Sequence, residues 1–357
     1  MTVYYILYIY ILIFPAVLRY IPLKKKSLRK IESIGFLVPV ILLLGLRHPS
    51  MGTDLRYGET FGYLGSYQII GSLSFKDVLN LKSYLNYEKG YVLLNKLLSY
   101  ISKDIQFLLF ACAMIALIPI ARFIYQYSRN QKFSWIVYLG LPCFLINFSG
   151  LRQSIAMGLC CLTIPFILNK NRIRFVLCIL FASLFHYTAL VFLLAYPVYH
   201  IQLNYNKRIA SVFIPLVVFV LKAPLFMLFS RLIHVNIALE SNGALTLFLV
   251  FLMIYAYCAV FADYSNDQAN GFINIYFLAV ICQAFSGVNS LAMRVGYYFM
   301  IPLIVGLPDI VLSIKNPSTK LISLFLIETA FFIYGLLSLY GTSWAMTNPY
   351  HFFWSLV

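Results

Sequence analysis

The sequence predicts an all-α polytopic integral membrane protein. Apolar runs of about 20 residues recur from end to end, the length needed to cross a bilayer as a helix. Of the 357 residues, 62% are hydrophobic and only 11% charged, with a mean hydropathy of +0.86; soluble domains carry roughly 45–50% apolar residues. The Lys and Arg residues collect in short connections between the runs, as topogenic signals do. These observations give about twelve transmembrane helices, some short or re-entrant, in a single transmembrane domain over residues 1–357.

The same distribution of charge excludes other classes. The net charge of +16 is spread over loops and forms no stripe with interleaved aromatics, so nucleic acid is not an expected partner. Cys112, Cys143, Cys160, Cys161, Cys178, Cys258 and Cys282 lie inside apolar runs without zinc or redox spacing, and read as packing residues. Glycine-rich phosphate loops, HExxH and nucleophile-elbow patterns are absent from the sequence, so no cofactor and no metal site are expected.

Taken in order, residues 3–22 form the first span. No basic region precedes them and no small-residue cleavage site follows, so they do not read as a cleavable signal. Lys24 to Lys30 then place five positive charges in seven residues, which puts this loop in the cytoplasm. The second span, about 33–46, delivers Arg47 to the external face. Residues 47–104 form an external loop of mixed polarity, in which pieces such as Gly90 to Ser102 repeat apolar residues at helical spacing. Amphipathic helices in this loop are expected to lie in or re-enter the interface and to carry part of the site. Spans follow at about 105–127, 133–148 and 150–169, with basic loops at Ser128 to Lys132 and Asn169 to Arg174.

Residues 175–199 read either as one span or as two short helices meeting at Phe185-His186-Tyr187-Thr188. The charge rule favours the hairpin, because it keeps Asn204 to Arg208 and Lys315 to Lys320 inside. Each arm would then hold about 14 residues, roughly 21 Å at 1.5 Å per residue, against a core of ~30 Å. Spans at about 209–229, 243–262, 271–286, 295–313 and 320–340 complete the set, with both termini outside.

The outer face on this reading gathers Arg47, His48, Asp54, Arg56, Glu59, Glu88, Arg152, His186, Arg294 and the tail Asn348-Pro349-Tyr350. Arginine offers a planar fork suited to phosphate and diphosphate oxygens. A carboxylate or histidine can take the proton of an attacking hydroxyl, and a histidine within an apolar run is a functional candidate inside a membrane. His186 ranks first as base, because unperturbed histidine titrates near neutrality; Glu88 and Asp54 are the other candidates. Each residue also has a plainer reading, as a headgroup anchor, a loop ion pair or a turn.

The order of motifs resembles the EpsG family, which groups with Wzy-type polysaccharide polymerases. Arg47-His48-Pro49-Ser50-Met51-Gly52-Thr53-Asp54 looks like that family's R-x(3–4)-G-x-D opening, with Tyr57 after it. Tyr87-Glu88-Lys89-Gly90-Tyr91 matches its acidic-x-Gly-Tyr element, and Leu151-Arg152-Gln153-Ser154-Ile155-Ala156 its LRQ helix start. His186-Tyr187-Thr188-Ala189-Leu190 and Arg294-Val295-Gly296-Tyr297-Tyr298 follow in the family's order, and Asn348-Pro349-Tyr350 closes it from a C-terminal tail.

The resemblance implies a GT-C-like, metal-independent polymerase of the bacterial cytoplasmic membrane. It would join undecaprenyl-diphosphate-linked oligosaccharides at the outer face by inverting transfer. It implies catalytic roles for His186, Glu88 and Asp54, and substrate or diphosphate contacts for Arg47, Arg152, Arg294, Tyr57, Tyr91, Gln153, Tyr187, Tyr298 and Asn348. Membrane lipids, a chain-length regulator and a flippase are the further partners implied. A lipid-linked glycan flippase and a membrane glycan acyltransferase stay open as alternatives.

Overall fold

A computed structural model describes residues 2–80, 87–232, 245–341 and 345–355. The described residues are 78% helix, and no strand is found among them. Residues 81–86 of the expected external loop and 243–244 of one expected span lie outside the described residues.

Helices occupy the segments that the apolar runs mark out, and asparagine opens several of them. The side chains of Asn130, Asn171, Asn204, Asn266 and Asn289 each accept from a backbone N–H of the following first turn, which satisfies a donor the helix leaves unpaired. By length and composition, three helices are able to cross a membrane: Ile105–Tyr127, Leu151–Leu168 and Pro317–Gly341. Three bent pairs raise the number to as many as six among the described residues. Thr2–Leu18, Tyr187–Tyr199 and Leu245–Phe261 are apolar but shorter.

The bends fall where proline forbids a straight helix. The run expected as one span over 133–148 turns by 63° between Gln131–Gly140 and Pro142–Ser149, because Leu141 before Pro142 is driven to extended backbone. The 75° bend between Tyr205–Val220 and Lys222–Leu228 comes just before Pro224, whose ring would meet the Val220 carbonyl. Pro302 marks the 51° bend between Leu291–Met300 and Leu303–Ser313 in the same way.

The chain divides into two compact units, Met1–Leu190 with Ile327–Val357, and Val191–Leu326. In the first, Ile105–Tyr127 packs against both Lys25–Gly45 and Leu151–Cys161. The helices Tyr63–Ser72 and Lys89–Ile101 pack on one another and share a buried cluster with this layer through Tyr63, Tyr67, Tyr91, Leu108 and Ile155. The C-terminal tail returns to the start of the unit: His48 N–H donates to the His351 carbonyl at 2.8 Å, and Phe353 N–H donates to the Leu46 carbonyl at 2.9 Å. In the second unit, Asp267–Ala284 is the central helix, packed by Leu245–Phe261, Ser290–Met300 and Leu303–Ser313.

Candidate functional site

Glu88 stands just before the helix Lys89–Ile101, and His186 in the turn between Arg172–Ser183 and the 3-10 helix Tyr187–Leu194. Gly90 brings these elements together. Its N–H donates to the Leu184 carbonyl at 2.8 Å, and a Cβ at this position would lie 2.7 Å from that oxygen. Any side chain here would separate the helix start from the turn.

The Glu88 carboxylate is held from three sides. Oε1 accepts from His186 Nδ1 at 3.0 Å and from the Tyr187 N–H at 3.0 Å, and Oε2 accepts from Arg152 Nη1 at 2.5 Å. Partial burial opposes ionisation, but the hydrogen bonds from His186, from Tyr187 N–H and from Glu88's own N–H, with the Arg152 charge, carry the carboxyl down to about 2. An ionised carboxylate only accepts, so Nδ1 of neutral His186 carries the hydrogen and Nε2 carries the lone pair. This is the tautomer a general base needs.

Arg152, in the first turn of Leu151–Cys161, is fixed by more than its acid. Nε donates to the Tyr63 hydroxyl at 3.2 Å, and the guanidinium lies 4.5 Å from the Tyr87 ring centre and 5.7 Å from that of Tyr63. Tyr63 and Tyr87 stack at 5.5 Å, and Tyr91 meets both edge-on from the core. Burial, against the pull of Arg152, pushes the Tyr63 hydroxyl up to about 12, and the Asp54 charge adds to the rise.

The Arg47 motif builds a different environment. Arg47 is 1% exposed; Nη2 donates to the Phe148 carbonyl at 3.1 Å, and its guanidinium lies 5.3 Å from the Phe148 ring centre. Its backbone bridges to Phe352, and the Gln106 amide donates to the carbonyls of Gly45 and Arg47. Burial lowers its pKa to about 10, with Tyr350, Cys112 and Tyr4 countering, so it stays charged at neutral pH. Gly52 has a φ of 113°, and a Cβ there would collide with the Phe148 carbonyl. This turn lets Thr53 and the Asp54 N–H meet the Ser149 hydroxyl at 3.0 and 3.1 Å.

The structure thus brings together Glu88, His186, Arg152 and Tyr187, with Tyr91 beneath and Asp54 within electrostatic reach. Gln153 is buried on the Arg152 helix, Tyr57 is exposed with its ring edge-on to His48, and Asn348 is exposed in the tail. Arg294 and Tyr298 lie on Ser290–Met300 in the second unit. Tyr63 was not legible as a site residue, and Tyr87 was visible only as a neighbour of Glu88. Lys89, which in sequence could have neutralised Glu88, is exposed. The arrangement can take a proton at Nε2, stabilise the resulting imidazolium through Glu88, and present an oriented guanidinium among aromatic faces.

The sequence model of the EpsG family matches residues 30–352 of the chain. No curated protein and no solved structure matches it.

Proposed function

The chain belongs to the EpsG family, hence to glycosyltransferase-like polysaccharide polymerases of membranes, and we propose that it lengthens a surface glycan by joining undecaprenyl-diphosphate-linked repeat units. The observation that carries this reading is the Glu88 carboxylate shared between His186 and Arg152. A base and a cation are held at fixed separation by one acid, which is what transfer from a diphosphate donor requires.

In the proposed step, an acceptor hydroxyl oxygen bonds to the anomeric carbon of the donor glycan while the bond from that carbon to the diphosphate oxygen breaks. The electron pair departs with undecaprenyl diphosphate. The hydroxyl proton passes to His186 Nε2, and Glu88 steadies the imidazolium through Nδ1. Attack opposite the leaving group inverts the anomeric centre. Arg152 is assigned to the diphosphate, and Tyr87, Tyr187 and Tyr57 to sugar faces. We assign Arg47, Gln153, Tyr91 and Asn348 to holding these groups in place, because the first three are buried and the last belongs to the tail that pairs with residues 46–48. The outer face of the cytoplasmic membrane, a GT-C-like arrangement and about twelve spans complete the proposal, supported by the positive loops at Lys24 to Lys30 and Asn169 to Arg174.

Purified protein given lipid-linked repeat units is expected to yield a ladder of multiples, resolved by gel. A strain lacking the gene is expected to carry single-unit glycans. Loss of all surface glycan in that strain would instead indicate a flippase, and full-length chains without acyl groups an acyltransferase.

A further inference from the structure

The helix Lys89–Ile101, which starts beside Glu88, carries its polarity the wrong way round for a helix in water. It buries Asn95 (0% exposed), Lys96 and Ser99, and exposes Leu93, Leu97, Tyr100 and Ile101 (73% exposed). Two of the buried polar groups hold the fold: Lys96 Nζ donates to the Leu73 carbonyl at 2.6 Å, and Ser99 Oγ to the Lys96 carbonyl at 2.7 Å. A helix facing water keeps its apolar stripe inward. The reverse order here means that the exposed stripe faces hydrocarbon.

A second apolar stripe reaches the same point. Leu177 and Phe181 on Arg172–Ser183, and Leu184 just past its end, follow at helical spacing and are all exposed. Gly90, Leu93, Leu97 and Ile101 likewise share one face of their helix, with three or four residues between successive positions. Because the Gly90 N–H donates to the Leu184 carbonyl, the two stripes meet there, two residues from Glu88 and two from His186. Exposed Lys89 adds its charge to that of Arg152 at this corner. The junction therefore offers cationic donors at one point and apolar surface leading away along two helices, the complement of an amphiphile with a compact anionic head and a long chain. Apolar side chains attract a chain no more than lipid does, so the stripes alone would not select it. A head held by the guanidinium fork would, because it confines the chain to this surface at high effective concentration.

We propose that Leu93, Leu97 and Ile101, with Leu177, Phe181 and Leu184, seat the head-proximal part of the polyprenyl chain of the lipid-linked donor, its diphosphate at Arg152; the assignment of the ligand rests on the polymerase reading. From Gly90 to Ile101 the stripe runs for about 16 Å at ~1.5 Å per residue, so the far end of a long chain lies in bulk lipid. The test is photolabelling of the full chain in phosphatidylcholine nanodiscs by polyprenyl diphosphates that carry a diazirine either near the head or at the far end. Phosphatidylcholine with a diazirine in its acyl chain is the control. The near-head probe is expected to mark residues 90–101 and 177–184 and to be displaced by excess unlabelled polyprenyl diphosphate, while the far-end probe spreads as the control does. Arg152→Gln is expected to raise the half-saturating concentration about tenfold or more, the scale of one lost hydrogen bond to a charged group. If that variant does not fold, Arg152→Lys keeps the charge without the fork and carries the same expectation. A near-head probe that spreads like the control, or an Arg152 variant that saturates as the wild type does, overturns the proposal whether or not repeat units are polymerised. Displaceable labelling of these residues without a ladder of multiples keeps the chain site and sinks the polymerase reading alone.

Discussion

Arg47 is 1% exposed and its guanidinium meets a carbonyl and a ring, whereas Arg152 keeps 18% of its side chain exposed and meets a carboxylate that a histidine shares. Both open a motif that follows an apolar run, and both read from the sequence as diphosphate contacts. Their surroundings separate them. Around Arg47 the neighbours are backbone, aromatic rings and the returning tail, which fix one conformation. Around Arg152 they are an acid, a phenol and two stacked rings, which fix a charge beside a proton acceptor. The lesson is that the groups completing an arginine's hydrogen bonds, more than the motif it opens, decide whether its charge serves chemistry or architecture.

The largest expected effect comes from Glu88→Gln. It removes the charge that holds His186 in the basic tautomer and Arg152 in place, so polymerisation of purified lipid-linked units is expected to fall by on the order of 10³-fold with the fold intact. Turnover near the wild-type level would reduce Arg152 to the same architectural role as Arg47. Next is Gly90→Ala, whose added Cβ meets the Leu184 carbonyl at 2.7 Å and pushes Glu88 away from His186. A displacement of about 1 Å is expected to cost on the order of 10²-fold in turnover. Equal activity in this variant would show that the Gly90 contact does not set the site.

In the Glu88 cluster, Arg152 and His186 were visible as polar residues at the edge of or within apolar runs, and Glu88 through the acidic-x-Gly-Tyr element of the EpsG resemblance. Their meeting on one carboxylate was not visible. Arg152 lies 64 residues from Glu88 and His186 lies 98, and no periodicity links positions that far apart. Tyr63 was hidden for another reason: among 28 tyrosines, nothing marks the one whose hydroxyl meets an arginine. The helical class followed from the apolar runs, while the asparagine caps that open several helices went unread. The bends at Pro142, Pro224 and Pro302 were legible in principle, since proline excludes the preceding helix geometry, but apolar length alone concealed them. The tail's pairing with Leu46 and His48 uses backbone groups, which carry no side-chain signature.

Arg47→Lys sharpens the comparison from the other side. Losing the planar fork at a buried carbonyl is expected to destabilise the protein by about 1–3 kcal/mol in denaturant unfolding, while the rate per folded molecule stays near the wild-type value. Arg152→Lys is expected to do the reverse, lowering the rate more than the stability. Smaller still is a pH effect. The Glu88 carboxyl is depressed from 4.5 to about 2 in the folded protein, so its stabilisation is complete above pH 4.5 and is lost as pH falls toward 2. The stability gap between wild type and Glu88→Gln is expected to close across that window, and a gap constant from pH 5 to pH 2 would argue against the ion pair.

The central claim is that Glu88 acts through His186, and a double-mutant cycle on turnover tests it most directly. Rates are measured for the wild type, Glu88→Gln, His186→Ala and the double variant, on purified lipid-linked repeat units. If the two side chains work as one unit, adding Glu88→Gln to His186→Ala slows turnover by clearly less than Glu88→Gln slows the wild type, because only the acid's hold on Arg152 is left to lose. If the two losses multiply, Glu88 and His186 act independently, and the shared carboxylate is not the organising feature of the site.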